Sequence, residues 1–211
     1  SGPGVFSIKN DSVGNDLPDN IRTGYLLTGA NLSNTAVTPT AASGSSAVHG
    51  IRSSAVAAAL TITNNLVHGI QVSGTATAYN GITNSGAVTG TINLNNNQLG
   101  NIDAGAVRFM FNNTGVVTDI SNTGATATTT VNLNNNSIEG ILAVSLTSNL
   151  TGILSSANAG VAININNNNL GSASADFNTY SAATSNTIFG FFNSGGVAAS
   201  TVISISNNNI R

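Results

Sequence analysis

Residues Thr91–Gly100 read TINLNNNQLG. The first five alternate polar and apolar, the period of a strand with one face buried, and three consecutive asparagines follow. Asparagine favours neither strand nor helix interiors, so one such cluster alone would read as a connector. The pattern recurs as VNLNNNSIEG at Val131–Gly140, ININNNNLGS at Ile163–Ser172 and ISISNNNIR at Ile203–Arg211. Aligned on the inner apolar residue before each cluster, the copies fall at Ile62, Leu94, Leu133, Ile165 and Ile205, with an outlying copy at Ile8 in FSIKNDSVGN. Successive spacings from Ile62 are 32, 39, 32 and 40 residues, inside the range of stacked repeat architectures. The extra residues of one long interval surround Gly115–Ala125 and those of the other fall in Ser172–Ser185. Variable loops on a common coil are therefore expected, and not a two-repeat unit near 71 residues.

Each interval holds a second apolar strand: GIQVSG (Gly69–Gly74), AVRFMFNN (Ala106–Asn113), GILAVSL (Gly140–Leu146) and IFGFFNS (Ile188–Ser194). A weaker third run precedes the next Asn cluster, as in GAVTGTINL and ANAGVAINI. No segment has a helical period with charged outer positions, and the nearest, Ala55–Leu60, runs straight into a strand. Two or three short strands per repeat predict an all-β chain. A propeller blade needs four strands, and a leucine-rich repeat needs a helical far side. A parallel β-solenoid fits best. Proline agrees: Pro3, Pro18 and Pro39 all precede residue 40, and none follows, where strands would have neighbours on both sides.

In such a stack the Asn runs acquire a physical role. Asparagine tolerates the left-handed backbone of a tight corner, and successive layers lie about 4.8 Å apart. A carboxamide carries both donor and acceptor, so Asn above Asn can bond like to like. Asn96, Asn135, Asn167 and Asn207 align in one column and Asn97, Asn136, Asn168 and Asn208 in the next, with Asn64 and Asn65 continuing both. All ten are read as structural ladder residues.

The stretches LTITNNLVHGIQVSG (Leu60–Gly74) and VNLNNNSIEGILAVS (Val131–Ser145) resemble the repeat of right-handed parallel β-helix proteins. That family includes pectin-degrading enzymes, phage tailspikes and the passenger regions of bacterial surface adhesins. The resemblance covers Ala55–Arg211 and implies a single-domain, right-handed parallel β-helix with irregular loop insertions. Residues 1–53 are expected to form an irregular N-terminal rung with a long loop, and residues 54–211 the regular rungs.

Composition narrows function. Only 6% of the residues are charged and the formal net charge is −2, so nucleic acid and anionic membrane, which demand Lys/Arg clusters, are not expected partners. No apolar run reaches the roughly 18 residues of a transmembrane helix. Zero cysteines exclude disulfides and thiolate metal sites. Enzymes of the resembled family carry clusters of Asp, Lys, Arg or Ca²⁺ on an outer groove. Here the acids are Asp11, Asp16, Asp19, Asp103, Asp119, Glu139 and Asp176, of which only Asp103 and Glu139 fall near equivalent points of successive repeats. They are surface candidates for the carboxylate pair that glycoside hydrolysis needs, though two solvated acids are the simpler reading. Asp11, Asp16 and Asp19 lack the spacing of a Ca²⁺ loop. His49 and His68 share the tetrapeptide VHGI, and without Cys or a third His they read as repeat-derived surface residues, not metal ligands. The Phe109, Phe111, Phe189, Phe191 and Phe192 group could stack sugars or fill the interior. Ice binding would need flat Thr arrays, and TATAY (Thr75–Tyr79) and TATTT (Thr126–Thr130) are not in register.

The expectation is a non-catalytic extracellular module of a cell-surface protein or fibre, structural or adhesive, without cofactor or metal. Its expected partners are other copies, flanking repeats of a longer chain, or surface glycans. The alternative is a polysaccharide-binding or polysaccharide-degrading β-helix.

Overall fold

The computed structural model describes residues 4–14, 21–23, 41–101, 105–196 and 200–211; Asp16, Asp19, Asp103 and the prolines lie outside these. Among the described residues every regular element is a strand, and the strands form four all-parallel sheets. The first sheet stacks Val5–Lys9, Ala59–Thr63, Thr91–Asn95, Thr130–Asn132, Ala162–Asn166 and Val202–Ser206. The second stacks the two-residue strands Ser12–Val13, Leu66–Val67, Gln98–Leu99, Ser137–Ile138, Asn169–Leu170 and Asn209–Ile210. Ile21–Thr23, Ile70–Val72, Val107–Phe109, Ile141–Ala143 and Asn178–Tyr180 make the third. Ala42–Ser53, Gly74–Asn84, Val117–Asn122, Leu150–Ser155 and Ile188–Asn193 make the fourth. The chain visits the sheets in one constant order, and each visit to all four is a rung. This ladder-like stacking is compatible with a parallel β-helix.

Like residues stack on like because the register is constant. Leu60 pairs with Ile92 and Ile62 with Leu94, Val131 with Ile163, and Ile163 and Ile165 with Ile203 and Ile205. The inward residues from Leu60 to Ile165 in these columns are at most 1% exposed, whereas Ile203 and Ile205, with no rung above them, are 48% and 49% exposed. Burial against a neighbouring rung, at about 25 cal/mol per Å² of apolar surface, is thus what stabilises each rung.

The repeat holds four strands, not two or three. The fourth-sheet strands of residues 74–84, 117–122 and 150–155 were not anticipated as a set. IFGFFNS belongs to that sheet, pairing with Leu150–Ser155, and the matching third-sheet strand is Asn178–Tyr180. That strand was hidden because its neighbour Phe177 takes the buried position, at 2% exposure, leaving little apolar character in Asn178-Thr179-Tyr180 itself.

Most of the extra residues, five in each long interval, sit at one and the same corner and not at two different places as expected. From the second sheet to the third the chain advances eight residues from Val13 to Ile21, three from Val67 to Ile70, eight from Leu99 to Val107, three from Ile138 to Ile141 and eight from Leu170 to Asn178. Long and short corners alternate, which makes a two-rung unit real. Long corners close onto short ones: Gly69 N donates to Gly105 O at 2.9 Å and Gly140 N to Asp176 O at 2.8 Å. Two long corners on adjacent rungs would compete for that space.

Two left-handed positions turn each rung. Asn10, Asn64, Asn96, Asn135, Asn167 and Asn207 have φ of 56–58°, and glycines 14, 69, 100, 140 and 171 have φ of 66–97°. At Gly100 a Cβ would also fall 2.1 Å from the Glu139 carbonyl oxygen. A separate inward glycine column runs down the fourth sheet, where Gly81 pairs between flanking registers with Gly50 and Asp119. A Cβ on Gly81 would lie 2.3 Å from Leu99 Cδ2 and 2.6 Å from the Asp119 carbonyl oxygen. Gly81→Ala is expected to cost about 1–3 kcal/mol through overpacking. An unchanged urea midpoint would show that this column is not tightly filled.

Candidate functional site

The two expected Asn columns are in register, but they divide the work. The first, at positions 64, 96, 135, 167 and 207, bends the backbone and points its side chains to solvent. The second is the ladder. Asn65 Nδ2 donates to Asn97 Oδ1 at 3.1 Å, Asn97 Nδ2 to Asn136 Oδ1 at 3.2 Å, Asn136 Nδ2 to Asn168 Oδ1 at 3.1 Å and Asn168 Nδ2 to Asn208 Oδ1 at 3.0 Å. The other Nδ2 hydrogen reaches back to a carbonyl of the preceding rung, as from Asn136 to Leu94 O at 2.9 Å. Each Oδ1 also accepts a backbone N–H, as from Asn97 to Asn136 at 2.9 Å. Every polar atom of these buried carboxamides is therefore satisfied, as burial demands. The like-to-like bonding expected of both columns belongs to the second alone, because a left-handed residue turns its side chain out of the stack. Asp11 occupies the ladder position of the first rung, its N–H donating to Asn65 Oδ1 at 3.0 Å.

Further asparagines went unnoticed in the sequence. Asn84 Nδ2 donates to Asn122 Oδ1 at 2.8 Å and to Gly124 O at 3.0 Å. Asn113 accepts from Thr77 N and donates to Thr77 O, both at 2.9 Å. The signal existed: ITNSG at Ile82–Gly86, ISNTG at Ile120–Gly124 and FFNSG at Phe191–Gly195 repeat one pattern.

The outer face of the first sheet carries a regular polar array. One column is Thr61, Asn93, Asn132, Asn164 and Ser204, and the next is Thr63, Asn95, Asn134, Asn166 and Ser206. In the former, Asn132 Nδ2 donates to Asn93 Oδ1 at 2.9 Å and Asn164 Nδ2 to Asn132 Oδ1 at 2.8 Å. In the latter, each Oδ1 accepts the backbone N–H of the next rung: Asn134 to Asn95 at 2.8 Å, Asn166 to Asn134 at 2.9 Å and Ser206 to Asn166 at 3.0 Å.

Of the chemical candidates, Glu139 is half-buried at a short corner, with Ser137 Oγ at 3.5 Å from its Oε1. Asp103, the other member of the expected pair, lies outside the described residues. His68 is not a surface residue: it is 1% exposed at the short corner leading to Gly69, with its Cδ2 3.3 Å from where a Cβ on Gly14 would fall. His49 lies in the fourth sheet whereas His68 follows the second-sheet strand Leu66–Val67, and burial together with the Arg52 charge lowers the His49 pKa. Among the described residues no group of three His, Cys, Asp or Glu could hold a metal ion. Phe109 is buried and Phe191 packs on the core, while Phe189 and Phe192 form a tilted pair with centroids 5.0 Å apart. A shallow cleft of about 250 Å³ lies over the third sheet beside Arg108, Met110, Leu142 and Thr179, and no acid lines it.

The most unusual group is internal. Asp119 stands in the inward column that elsewhere holds Gly50, Gly81, Gly152 and Gly190. It is 0% exposed and neither carboxyl oxygen has a hydrogen-bond partner. Desolvation pushes its pKa well above the ordinary carboxylate value. Tyr79, also 0% exposed with an unpartnered hydroxyl, is pushed up by burial and then by the Asp119 charge.

The chain matches no protein-family model, and no curated protein or solved structure is significantly similar to it.

Proposed function

We propose that the protein is a right-handed parallel β-helix serving as a non-catalytic structural or adhesive module at the extracellular surface, alone or within a longer fibre. The observation that supports this most is how the polar chemistry is used. Asparagine carboxamides are consumed in ladders inside and outside the first sheet, which build a rigid neutral rod. The acids do not converge among the described residues, and the most perturbed one is sealed in the core. The exposed inward isoleucines of the last rung offer a face that a further rung covers, whether from the same chain or another copy.

Negative-stain microscopy of the purified chain tests the shape, with rods or end-to-end fibres expected and globular particles contrary to the proposal. Incubation with a polysaccharide panel tests the enzymatic alternative. No reducing sugar or unsaturated product is expected; product release abolished by Glu139→Gln would sink the non-catalytic reading.

A further inference from the structure

The geometry points to the outer face of the first sheet as an adhesion surface for an ordered, uncharged polysaccharide, an inference that rests on the adhesive reading above. The face is a lattice in two directions. Rungs repeat at about 4.8 Å, and alternate residues along a strand at about 6.6 Å. Register is unbroken through Leu60–Thr63, Ile92–Asn95, Val131–Asn132, Ile163–Asn166 and Ile203–Ser206, and ladders of like side chains hold such a sheet against twist. From Thr61 to Ser206 neither outward column contains a charge.

The donors are fixed in advance. The Oδ1 atoms of Asn95, Asn134 and Asn166 are each occupied by a backbone N–H, which sets the orientation of each carboxamide. Among the described residues their Nδ2 groups have no hydrogen-bond partner, and the side chains are half-buried, so they stand at the surface as a column of N–H donors. Thr61 and Thr63 continue the two columns with hydroxyls. Because these side chains are already ordered, binding costs little of the usual side-chain entropy. A face that spends its acceptors internally and presents donors suits a partner rich in hydroxyl and ether oxygens. It suits a water lattice less, since that must also find acceptors. Lys9, paired with Thr63, is a lone charge at the foot of the second column; the uncharged stretch from Thr61 to Ser206 disfavours an ionic glycan, and its repeat favours chains packed side by side over a single flexible one.

The test is co-sedimentation of the whole chain with microcrystalline cellulose and with chitin particles. The wild type is expected to pellet with at least one of them. Asn134→Asp keeps the Oδ1 acceptor and removes the donor, and Thr61→Tyr raises a ring above the face without breaking a hydrogen bond. Both are expected to bind at least about tenfold more weakly, with unchanged thermal midpoints. Thr179→Asp, on the third sheet, is expected to bind as the wild type does. A wild type that pellets with neither solid overturns the inference, as does equal binding by all variants. Binding lost only in Thr179→Asp overturns this face while leaving adhesion standing. Ice-growth inhibition abolished by Thr61→Tyr, without sedimentation, overturns the polysaccharide assignment. Sugar released from the solids would overturn the adhesive reading itself.

Discussion

Asn136→Ala is expected to lower stability by about 3–5 kcal/mol, while Asn135→Gly, one residue earlier, stays within about 1 kcal/mol of the wild type. The contrast follows from what each side chain touches. Truncating Asn136 removes the acceptor of Asn97 N and Asn97 Nδ2 and the donor to Leu94 O and Asn168 Oδ1. These groups are buried, and each left unsatisfied costs about 1–3 kcal/mol. Asn135 is exposed and contributes its backbone angle, φ 56°, which glycine adopts without penalty. Urea midpoints of the two variants check this. Equal losses would mean that the cluster acts as a unit and that no division between columns exists.

Stability is expected to fall as pH rises above about 4, which is unusual for a folded chain with few acids. The cause is Asp119. Its folded pKa lies well above the usual carboxylate value because burial disfavours the charged form. The unfolded chain therefore releases that proton first. The sign follows: stability is greatest below the unfolded pKa and declines as pH rises towards the folded pKa, at up to about 1.4 kcal/mol per pH unit. Asp119→Asn removes the ionisation, so its stability should be nearly flat over that range and exceed the wild type at pH 7. Thermal midpoints of both proteins from pH 4 to pH 8 decide it (roughly the window set by the carboxylate reference value). A flat wild-type profile, or an Asp119→Asn variant that is less stable at pH 7, would contradict the assignment.

Much of the first sheet was legible in the sequence because its five-residue strands show a full alternation, as in TINLN and AININ, and end on a marked corner. The second sheet was not, since two residues such as Gln98-Leu99 carry no period. The fourth-sheet strands were obscured by inward glycines: the column of Gly81, Gly152 and Gly190 packs side chains from elsewhere against bare backbone, so the local sequence looks loop-like. Among the site residues, Asn64 to Asn208 were readable as columns, yet which column bonds and which bends was not. That choice depends on φ, and identical letters give no sign of it. Asp119 was passed over as one acid among seven; recognising it required the pairing that puts it in register with glycine.

The division of labour between consecutive asparagines is most directly tested by hydrogen exchange of the side-chain amides in ¹⁵N-labelled protein. Nδ2 hydrogens of Asn97, Asn136 and Asn168, bonded within the stack, are expected to exchange only through unfolding of a rung. Those of Asn96, Asn135 and Asn167, exposed at the corner, should exchange at the rate of a free amide. Comparable exchange in both columns would contradict the ladder.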